Sequence, residues 1–345
     1  MVRFGVIGSG NISAAHIDSL KRLEETKLVA VWSRRFENAQ RVAAEHGCEA
    51  VASYEELVKR DDIDAVTICT PSGFHLEPAL AAIEAGKHVI IEKPLEVTVE
   101  RCNEIIAAAD RRGVKLGCIF QSRFTPANQE LYRAVQEGRF GRLVMGDAFV
   151  KWYRSQEYYD SGAWRGTWKL DGGGALMNQA IHTVDVLLWL MGDVESVYAY
   201  ADCLAHERIE VEDTVAAVLR FKNGAMGVIE ATTSIQPGYP KRVEVHGSRG
   251  GAVIVDDAVV DWHEIDNPER AARIRAELGA KETSGTFANP MAMSFDKHRL
   301  QLQDFARAIM EDRKPMIDGR EGARAVSVVR AIYASARERR AVVPA

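Results

Sequence analysis

The sequence predicts an amino-terminal, doubly wound α/β domain followed by an α+β domain with a largely antiparallel sheet. Up to about residue 120, short apolar runs alternate with helix-period segments, and beyond it strand-like runs follow one another through short turns. The 345 residues suffice for two domains of roughly 150 residues each. We therefore expect domains at 1–122 and 123–345, with the last helix free to pack back on the first domain.

The first domain has the pattern of a parallel sheet covered by helices on both faces. Ser53 and Glu56 form a capping box that starts a short helix, and Gly86 and Gly113 follow two helices where a left-handed residue is wanted. The predicted strands are 2–7, 28–33, 64–69, 87–91 and 114–120. The predicted helices are 12–24, 36–46, the short one after Ser53, 74–85 and 98–112.

The second domain opens with a predicted helix at 126–137. The Lys222-Asn223-Gly224 turn is typical of a hairpin, which implies antiparallel strands. The predicted strands are 143–153, 194–203, 213–221, 225–234, 240–246 and 252–255, interrupted by a helix-period segment at 172–191. Two closing helices are predicted at about 295–312 and 320–338.

Composition excludes several classes of partner. The formal net charge is −5 and basic runs stop at two residues, which disfavours nucleic acid. No apolar run approaches the roughly 20 residues of a membrane span, and the chain opens directly on a strand, so we expect a cytoplasmic protein without a membrane partner. The five cysteines have no Cys-x-x-Cys spacing and are expected to be reduced; no metal site is predicted.

A glycine-rich loop, Gly8-Ser9-Gly10-Asn11-Ile12-Ser13, joins the first strand to the first helix. The first glycine allows a tight turn, the second lets the backbone approach a pyrophosphate, and the helix N-terminus supplies amide donors. Ser13 replaces the usual third glycine. The loop predicts dinucleotide binding by Gly8, Gly10, Asn11 and Ile12.

The second strand ends in Ser33-Arg34-Arg35, where an NAD-binding domain usually offers a carboxylate to the ribose hydroxyls. Guanidinium groups bind phosphate through forked hydrogen bonds, so these residues favour NADP(H) over NAD(H). The alternative is that both arginines lie in a solvated turn and that the cofactor is NAD(H).

Two further strands end at the same predicted sheet edge, in Thr70-Pro71 and in Glu92-Lys93-Pro94. Thr70 and Pro71 are expected to line the dinucleotide crevice, and the Lys93 amine can exchange protons there. The other predicted cofactor contacts are His75, Glu92, Lys93 and Gln121.

Asn178, His182 and Asp185 are spaced i, i+4 and i+7, which predicts one polar stripe on an otherwise apolar helix. Buried polar groups are costly unless they are paired or used. Histidine can transfer a proton near neutral pH, and Asp185 is placed to orient its ring.

Three motifs together, Gly8-x-Gly10-Asn11-Ile12, Glu92-Lys93-Pro94 and Gly172-Gly173-Gly174 with Asn178, His182 and Asp185, resemble the glucose-fructose oxidoreductase/inositol dehydrogenase (Gfo/Idh/MocA) family. The resemblance covers essentially the whole chain and implies a Rossmann domain followed by a domain with a large open sheet. In this family that sheet commonly forms a dimer or tetramer interface, and the substrate lies between the domains.

By the same resemblance, Lys93 matches the catalytic lysine, His182 matches the catalytic histidine, and Lys93-Pro94 is often a cis peptide. Many members have a catalytic aspartate where this sequence has Asn178. An amide cannot share its proton at neutral pH, so proton transfer is expected from His182 and Lys93.

The resulting hypothesis is reversible oxidation of a secondary hydroxyl on a sugar, sugar derivative or cyclic polyol by a homodimer or homotetramer. An aromatic segment, 152–168, suits a sugar face, although a core or interface cluster is an equal alternative. The predicted substrate-binding residues are Asn178, Trp164, Arg165, Tyr158, Arg123 and Asp185, with His298 as a further pocket candidate. Two rivals stay open: a glycosidase that uses NAD transiently through a keto intermediate, and a non-catalytic dinucleotide or sugar sensor.

Overall fold

The computed structural model of the protein describes residues 1–279 and 295–345. Its strands are β1 Val2–Ile7, β2 Thr26–Trp32, β3 Glu49–Val51, β4 Ala65–Ile68, β5 His88–Ile91, β6 Leu116–Cys118, β7 Leu143–Lys151, β8 Val194–Asp202, β9 Thr214–Phe221, β10 Met226–Thr232, β11 Arg242–Gly247, β12 Gly250–Val255 and β13 Ala258–Glu264. Its α-helices are α1 Ser13–Arg22, α2 Phe36–His46, α3 Tyr54–Val58, α4 Leu76–Glu84, α5 Val99–Arg112, α6 Pro126–Gln136, α7 Gln156–Asp160, α8 Ile181–Met191, α9 Pro268–Leu278, α10 Asp296–Met310 and α11 Gly319–Glu338.

The chain divides into two compact units. Unit 1 comprises Met1–Gln121 and Phe295–Val326, and unit 2 comprises Ser122–Ser294 and Ser327–Ala345. The carboxyl-terminal segment thus contributes to both units, with α10 in the first.

Unit 1 contains a six-stranded sheet in the order β3-β2-β1-β4-β5-β6, with every pair parallel. Ile7 at the end of β1 lies opposite both Trp32 and Ile68, so the carboxyl ends of these strands meet at one edge. The doubly wound fold predicted from sequence is confirmed. The sheet brings together the loops that follow β1, β2, β4 and β5, which carry the predicted dinucleotide-binding residues.

Helix α10 belongs to unit 1 through both apolar and polar contacts. Leu302 and Phe305 are buried in the same hydrophobic cluster as Phe4 of β1. Gln301 donates from Nε2 to the carbonyl of Cys118 at 2.6 Å and accepts from the amide of Phe120 at 3.0 Å. This side chain satisfies backbone groups just beyond the end of the short strand β6.

Unit 2 contains a seven-stranded sheet in the order β13-β12-β11-β7-β10-β9-β8. The β7–β10 pair is parallel and the other pairs are antiparallel, as the sequence predicted for this half. The turn at Asn223-Gly224 joins β9 to β10 in the predicted hairpin. Along β9, exposed and buried side chains alternate, so one sheet face is covered and the other is open.

The local signals at helix ends are confirmed. The Ser53 hydroxyl accepts from the amide of Glu56 at 3.1 Å, and Gly86 and Gly113 adopt φ angles of 77° and 67°. Every helix among the described residues is too short or too polar to cross a bilayer.

The prediction of one regular helix over 172–191 is wrong. Residues Ala175–Ala180 form a π-helix, and only Ile181–Met191 are α-helical. Hydrogen bonds in a π-helix run from i to i+5, so the spacing of Asn178 from His182 does not have its α-helical meaning. The predicted stripe of three residues is therefore split between two kinds of helix.

Strand β13 and helix α9 were not predicted. Strand β13 alternates charged and apolar residues too irregularly for a clean period of two, although its Trp262 is fully buried. Helix α9 did carry a signal, because Asn267 caps its N-terminus and Pro268 occupies its first turn.

Candidate active site

The loop after β1 has room for a ligand on one side only. Gly8 has a φ of 112°, and a Cβ there would lie 2.7 Å from the backbone of Cys69. A Cβ at Gly10, in contrast, would meet nothing within 4 Å. The following helix α1 has no side-chain cap on its N-terminus. The loop therefore has space for a dinucleotide pyrophosphate beside the uncapped N-terminus of α1.

The end of β2 is tied to this loop. The Ser9 hydroxyl donates to the Ser33 hydroxyl at 2.6 Å. Arg34 and Arg35 are exposed, and Arg35 precedes α2, whose N-terminus also has no side-chain cap. Two arginines and the N-terminus of α2 thus follow directly after β2, and both kinds of group bind anions.

His75 contacts two backbone carbonyls. Its ring is fully buried, with Nδ1 3.0 Å from the carbonyl of Pro94 and Nε2 3.0 Å from the carbonyl of Thr70. Both ring nitrogens lie against backbone carbonyls, which gives His75 a structural role, while its contact with the cofactor stays a prediction. His75 links the loop after β4, which includes Thr70 and Pro71, to the loop after β5.

Glu92 likewise contacts buried groups of unit 1. Its carboxylate is 4% exposed and lies 2.8 Å from Nε2 of His16 and 3.6 Å from Nε2 of His298. The described contacts of Glu92 are thus with protein groups, and its contact with the cofactor stays a prediction; His298, a predicted pocket residue, lies in the same buried cluster.

His16, Glu92 and His298 carry the kinds of ligand atom that bind metal ions, and these atoms lie within 4.8 Å of one another. Ligands about 2.0–2.1 Å from a tetrahedral zinc ion would be about 3.3 Å apart. The 2.8 Å between Nε2 of His16 and Oε1 of Glu92 is instead the length of a direct hydrogen bond.

Lys93 follows β5 and is half-buried, and its amide donates to Oε2 of Glu92 at 3.0 Å. The peptide between Lys93 and Pro94 is cis, as the resemblance implied. Gln121, three residues beyond β6, has a buried side-chain oxygen with no hydrogen-bond partner among the described residues. An orphaned acceptor at the ligand-binding edge of the sheet fits a bound hydrogen-bond donor.

In unit 2, the Gly172-Gly173-Gly174 segment packs tightly against protein. A Cβ at Gly174 would lie 1.7 Å from the carbonyl oxygen of Glu212, and one at Gly173 would lie 2.2 Å from the Tyr333 hydroxyl. The Glu212 carboxylate accepts from the amides of Gly174 and Leu176 at 2.9 and 2.8 Å, and from the Tyr333 hydroxyl at 2.9 Å. Glu212 thus anchors the start of the segment that carries Asn178 and His182.

Neither Glu212 nor Tyr333 was predicted from the sequence. Burial raises the pKa of Glu212 to about 7, against the lowering effect of its hydrogen bonds. Glu212 stands just before β9 in the sequence, which by itself does not indicate a buried anchor. Its role depends on a tertiary contact with the Gly172-Gly173-Gly174 segment, which the sequence does not show.

Asn178 is held on both sides of its amide group. Its Nδ2 donates to Oδ1 of Asp171 in a short hydrogen bond, and its Oδ1 accepts from Gln179 at 2.9 Å. Gln179 also donates to the Tyr158 hydroxyl, which accepts from Arg165 at 2.6 Å. Asp171, which sequence reasoning missed, supplies a carboxylate next to the amide that replaces the family's aspartate.

His182 is half-buried on the first turn of α8 and lines a small cavity. Lys241 and Asp257 line the same cavity and form an ion pair at 2.8 Å, and Asn128 lines it as well. The predicted catalytic histidine therefore borders a small cavity that both charged and apolar side chains line.

Arg123 and Asp185 form a buried ion pair within unit 2. The guanidinium donates to both carboxylate oxygens, at 2.8 and 2.6 Å, and both side chains are at most 2% exposed. The guanidinium also lies 5.4 Å from the ring of Trp189. This pairing compensates both buried charges and gives Arg123 and Asp185 a structural role, while their contacts with substrate stay a prediction.

The predicted aromatic segment does cluster around two arginines. The Arg165 guanidinium lies 4.2 Å from the ring centre of Tyr158 and 4.6 Å from that of Trp164. Arg154 lies 5.7 Å from the same Tyr158 ring and 4.9 Å from that of Trp152. Burial and the neighbouring charge of Arg165 lower the pKa of Arg154. The cluster combines the buried Arg154 with the half-buried Arg165 and half-buried aromatic rings.

The doubly wound unit with its phosphate loop and the unit with the open sheet define a two-domain, dinucleotide-binding oxidoreductase. Residues 2–120 match the family model for the NAD-binding Rossmann fold of an oxidoreductase family, and residues 128–253 match that of the GFO/IDH/MocA C-terminal domain. The chain belongs to the Gfo/Idh/MocA oxidoreductase family and is an enzyme of that class.

Several relatives cover most of the chain. The 1,5-anhydro-D-fructose reductase of Ensifer adhaerens is 32% identical over 73% of this chain and 75% of its own length. The myo-inositol 2-dehydrogenase of Thermotoga maritima is 28% identical over 99% and 98%. The crystal structure of the WlbA dehydrogenase from Bordetella pertussis, in complex with NADH and UDP-GlcNAcA, is 35% identical, covers 99% of this chain and 97% of its own, and gives a TM-score of 0.90.

Proposed function

We propose that the protein interconverts a secondary alcohol and a ketone on a sugar, a sugar derivative or a cyclic polyol, with a nicotinamide dinucleotide as the redox partner. The proposal rests on the position of Lys93. This lysine follows β5 at the carboxyl edge of the parallel sheet, where ligands of such folds bind, and its backbone amide is bound by Glu92. The relatives that act on anhydrofructose and inositol support the substrate class.

In the proposed oxidation, the hydroxyl proton passes to His182 or Lys93 while the carbinol C–H bond breaks with its electron pair. The bound nicotinamide supplies the acceptor for that hydride. When His182 is the proton acceptor, the Lys93 ammonium donates a hydrogen bond to the oxygen that becomes the carbonyl, which stabilises the negative charge that develops there. Asn178 binds the substrate without proton transfer, because an amide does not titrate at neutral pH.

We further propose that the substrate carries an anionic group. Arg154 and Arg165 flank one tyrosine ring, and two neighbouring cations repel one another. A carboxylate or phosphate bound beside these guanidinium groups would relieve that repulsion and accept forked hydrogen bonds. The sugar acid named for the WlbA dehydrogenase structure, which covers nearly the whole chain, supports an acidic sugar derivative.

The first test is a substrate panel followed by absorbance of the reduced nicotinamide. Inositol, neutral hexoses, free uronic acids and nucleotide-linked uronic acids are compared with both cofactors. We expect turnover of at least one carbohydrate, with acidic derivatives preferred. Release of an aglycone without net cofactor reduction would favour the glycosidase alternative, and absence of turnover across the panel would favour the sensor.

The second test removes the proposed proton-transfer groups. Lys93→Ala and His182→Ala are each expected to lower kcat by about 10²–10⁴-fold with dinucleotide affinity nearly unchanged. Lys87→Ala is the matched control, because Lys87 immediately precedes β5 at its opposite end and donates to the backbone of Arg60 and Ile63. Full turnover by both active-site variants would contradict the mechanism.

We propose NADP(H) as the preferred cofactor, since Ser33, Arg34 and Arg35 offer two cations and no carboxylate at the end of β2. Ser33→Asp would repel a 2′-phosphate and accept from ribose hydroxyls, so the ratio of kcat/KM for NADP⁺ to that for NAD⁺ should fall by at least about tenfold. Arg41→Ala, an exposed arginine further along α2, serves as the control. A wild-type preference for NAD⁺ would overturn this assignment.

We also propose that the protein is a homodimer or homotetramer. Tyr200 and Val218 are exposed on the open face of the unit 2 sheet, at 69% and 55%. Sedimentation velocity measures the assembly directly, and a monomer at micromolar concentration would contradict this proposal.

A further inference from the structure

We infer that Glu92 is a positioning residue for Lys93, held in place by His16. The inference rests on the proposed function, in which Lys93 acts on the substrate. One carboxylate oxygen of Glu92 accepts from Nε2 of His16 at 2.8 Å, and the other accepts from the amide of Lys93 at 3.0 Å. Two contacts on opposite oxygens fix the rotation of the carboxylate, and the carboxylate in turn fixes the backbone from which the lysine side chain departs.

The cluster is buried and charged. Burial raises the pKa of Glu92, but the hydrogen bond and charge of His16, together with the nearby His298 ring, lower it well below its ordinary value. Burial lowers the pKa of His16, and the adjacent Cys69 and Glu92 raise it to about 10. Nε2 of His16 faces Glu92 and Nδ1 lies 2.7 Å from the Thr67 hydroxyl, so both ring nitrogens are engaged. Hydrogen bonds to an ionised group are stronger than those between neutral groups, so the His16–Glu92 hydrogen bond holds the Glu92 carboxylate firmly in one orientation.

His298 packs against the buried His16–Glu92 pair. Its Nε2 is 3.6 Å from Glu92, beyond hydrogen-bond distance, and its ring lies edge-on to His16 with centres 5.6 Å apart. Burial lowers the pKa of His298, which favours a neutral ring beside the charged pair.

The pair also connects two parts of the dinucleotide-binding edge. His16 is the fourth residue of α1, the helix that follows the glycine-rich loop. Glu92 directly follows β5, and its amide donates to the carbonyl of Ile68 in β4. The turn that carries Lys93 is therefore braced against the phosphate-loop helix and the neighbouring strand. Lysine has four rotatable bonds, so its amine can be placed accurately only if its backbone is fixed.

Glu92→Gln tests this assignment while preserving side-chain volume. The amide loses the charge and places an N–H where one of the two donors now points. We expect kcat to fall by about 10–100-fold, with the Kd of the dinucleotide, measured by nicotinamide fluorescence, within about threefold of wild type. KM for the substrate should change less than kcat, because the variant displaces a proton-transfer group rather than a binding group.

Glu96→Gln is the matched control. Glu96 is a second fully buried carboxylate four residues along the same loop, where Arg101 contacts it at 2.9 Å. This variant also loses a buried charge, so its melting temperature should fall as for Glu92→Gln, while its kcat should stay within about threefold of wild type. If kcat falls equally in both variants, the effect is general destabilisation and the inference fails.

A His16 pair provides a second, independent measurement. His16→Ala removes the donor to Glu92 and should lower kcat, and His16→Gln restores an N–H donor and should recover at least part of it. Wild-type kcat in a folded Glu92→Gln variant, or the same kcat in both His16 variants, would overturn the inference. Lys93→Ala is measured in parallel: full turnover there defeats the proposed function itself, whereas loss there with a wild-type Glu92→Gln defeats only the positioning role.

Discussion

The two glycine-rich segments of the molecule differ in what their glycines make room for. At Gly10 in the phosphate loop, the space beyond the backbone is open, with no atom within 4 Å of where a Cβ would lie. At Gly174 in the second unit, the same space is filled by the carbonyl oxygen of Glu212 at 1.7 Å. One glycine borders open space, and the other lets two parts of the protein touch.

This difference suggests that the two glycine-rich segments have different roles, one in binding a ligand and the other in packing. The phosphate loop leaves amides of α1 without a side-chain cap, as a ligand-binding helix end requires. The amides of Gly174 and Leu176 are instead bound by the buried Glu212 carboxylate. A glycine-rich approach to a helix is therefore evidence for a ligand only where the helix N-terminus stays available.

The largest effect is expected from Gly174→Ala. A methyl group 1.7 Å from a backbone carbonyl cannot be accommodated by a side-chain movement, so the segment that carries Asn178 and His182 must shift. We expect a loss of about 4 kcal/mol or more in the free energy of unfolding, or no folded protein. Urea denaturation followed by circular dichroism measures it, and a variant as stable as wild type would show that the glycine is not required by packing.

A smaller effect is expected from Glu212→Gln. The amide cannot accept from Gly174 and Leu176 with both of its ends, so one buried donor loses its partner at a cost of about 1–3 kcal/mol. The variant should also change how stability depends on pH, because burial raises the pKa of Glu212 from 4.5 to about 7.

The direction of that pH dependence follows from proton binding. Between pH 4.5 and 7 the folded protein holds a proton on Glu212 that the unfolded chain has released, so the free energy of unfolding falls as pH rises, by up to about 3 kcal/mol. Subtracting the curve of Glu212→Gln from that of wild type isolates this contribution from other titrating groups. Glu210→Gln, an exposed carboxylate two residues earlier, should leave the slope unchanged; equal slopes in wild type and Glu212→Gln would refute the assignment.

The fold was largely predictable because its signals are local. Strand and helix periods, the Ser53 cap and the glycines after α4 and α5 depend on a few neighbouring residues, and a parallel sheet then places the strand ends together. The π-helix at Ala175–Ala180 was missed because its irregular hydrogen bonding accompanies contacts with Glu212 and Tyr333, which are distant in sequence.

The candidate site was predictable in residue type but not in residue role. Glu92, His75, Arg123 and Asp185 were expected to face ligands, and each proves to be buried against a partner. A sequence shows that a polar residue stands at a strand end or on a helix, but the direction of its side chain depends on partners such as His16, which lies 76 positions from Glu92.

The last prediction completes the contrast between the two glycine segments. Gly10→Ala places a methyl group in open space, so stability should be unchanged or raised slightly, by up to about 1 kcal/mol. The same methyl group would occupy the place of the pyrophosphate, and we expect the dinucleotide Kd to rise on the order of tenfold. Melting temperature and fluorescence titration on one preparation measure both quantities. Unchanged dinucleotide affinity would mean that the open side of the loop is not where the cofactor binds, whereas weakened binding with an intact fold is the opposite of what Gly174→Ala should give.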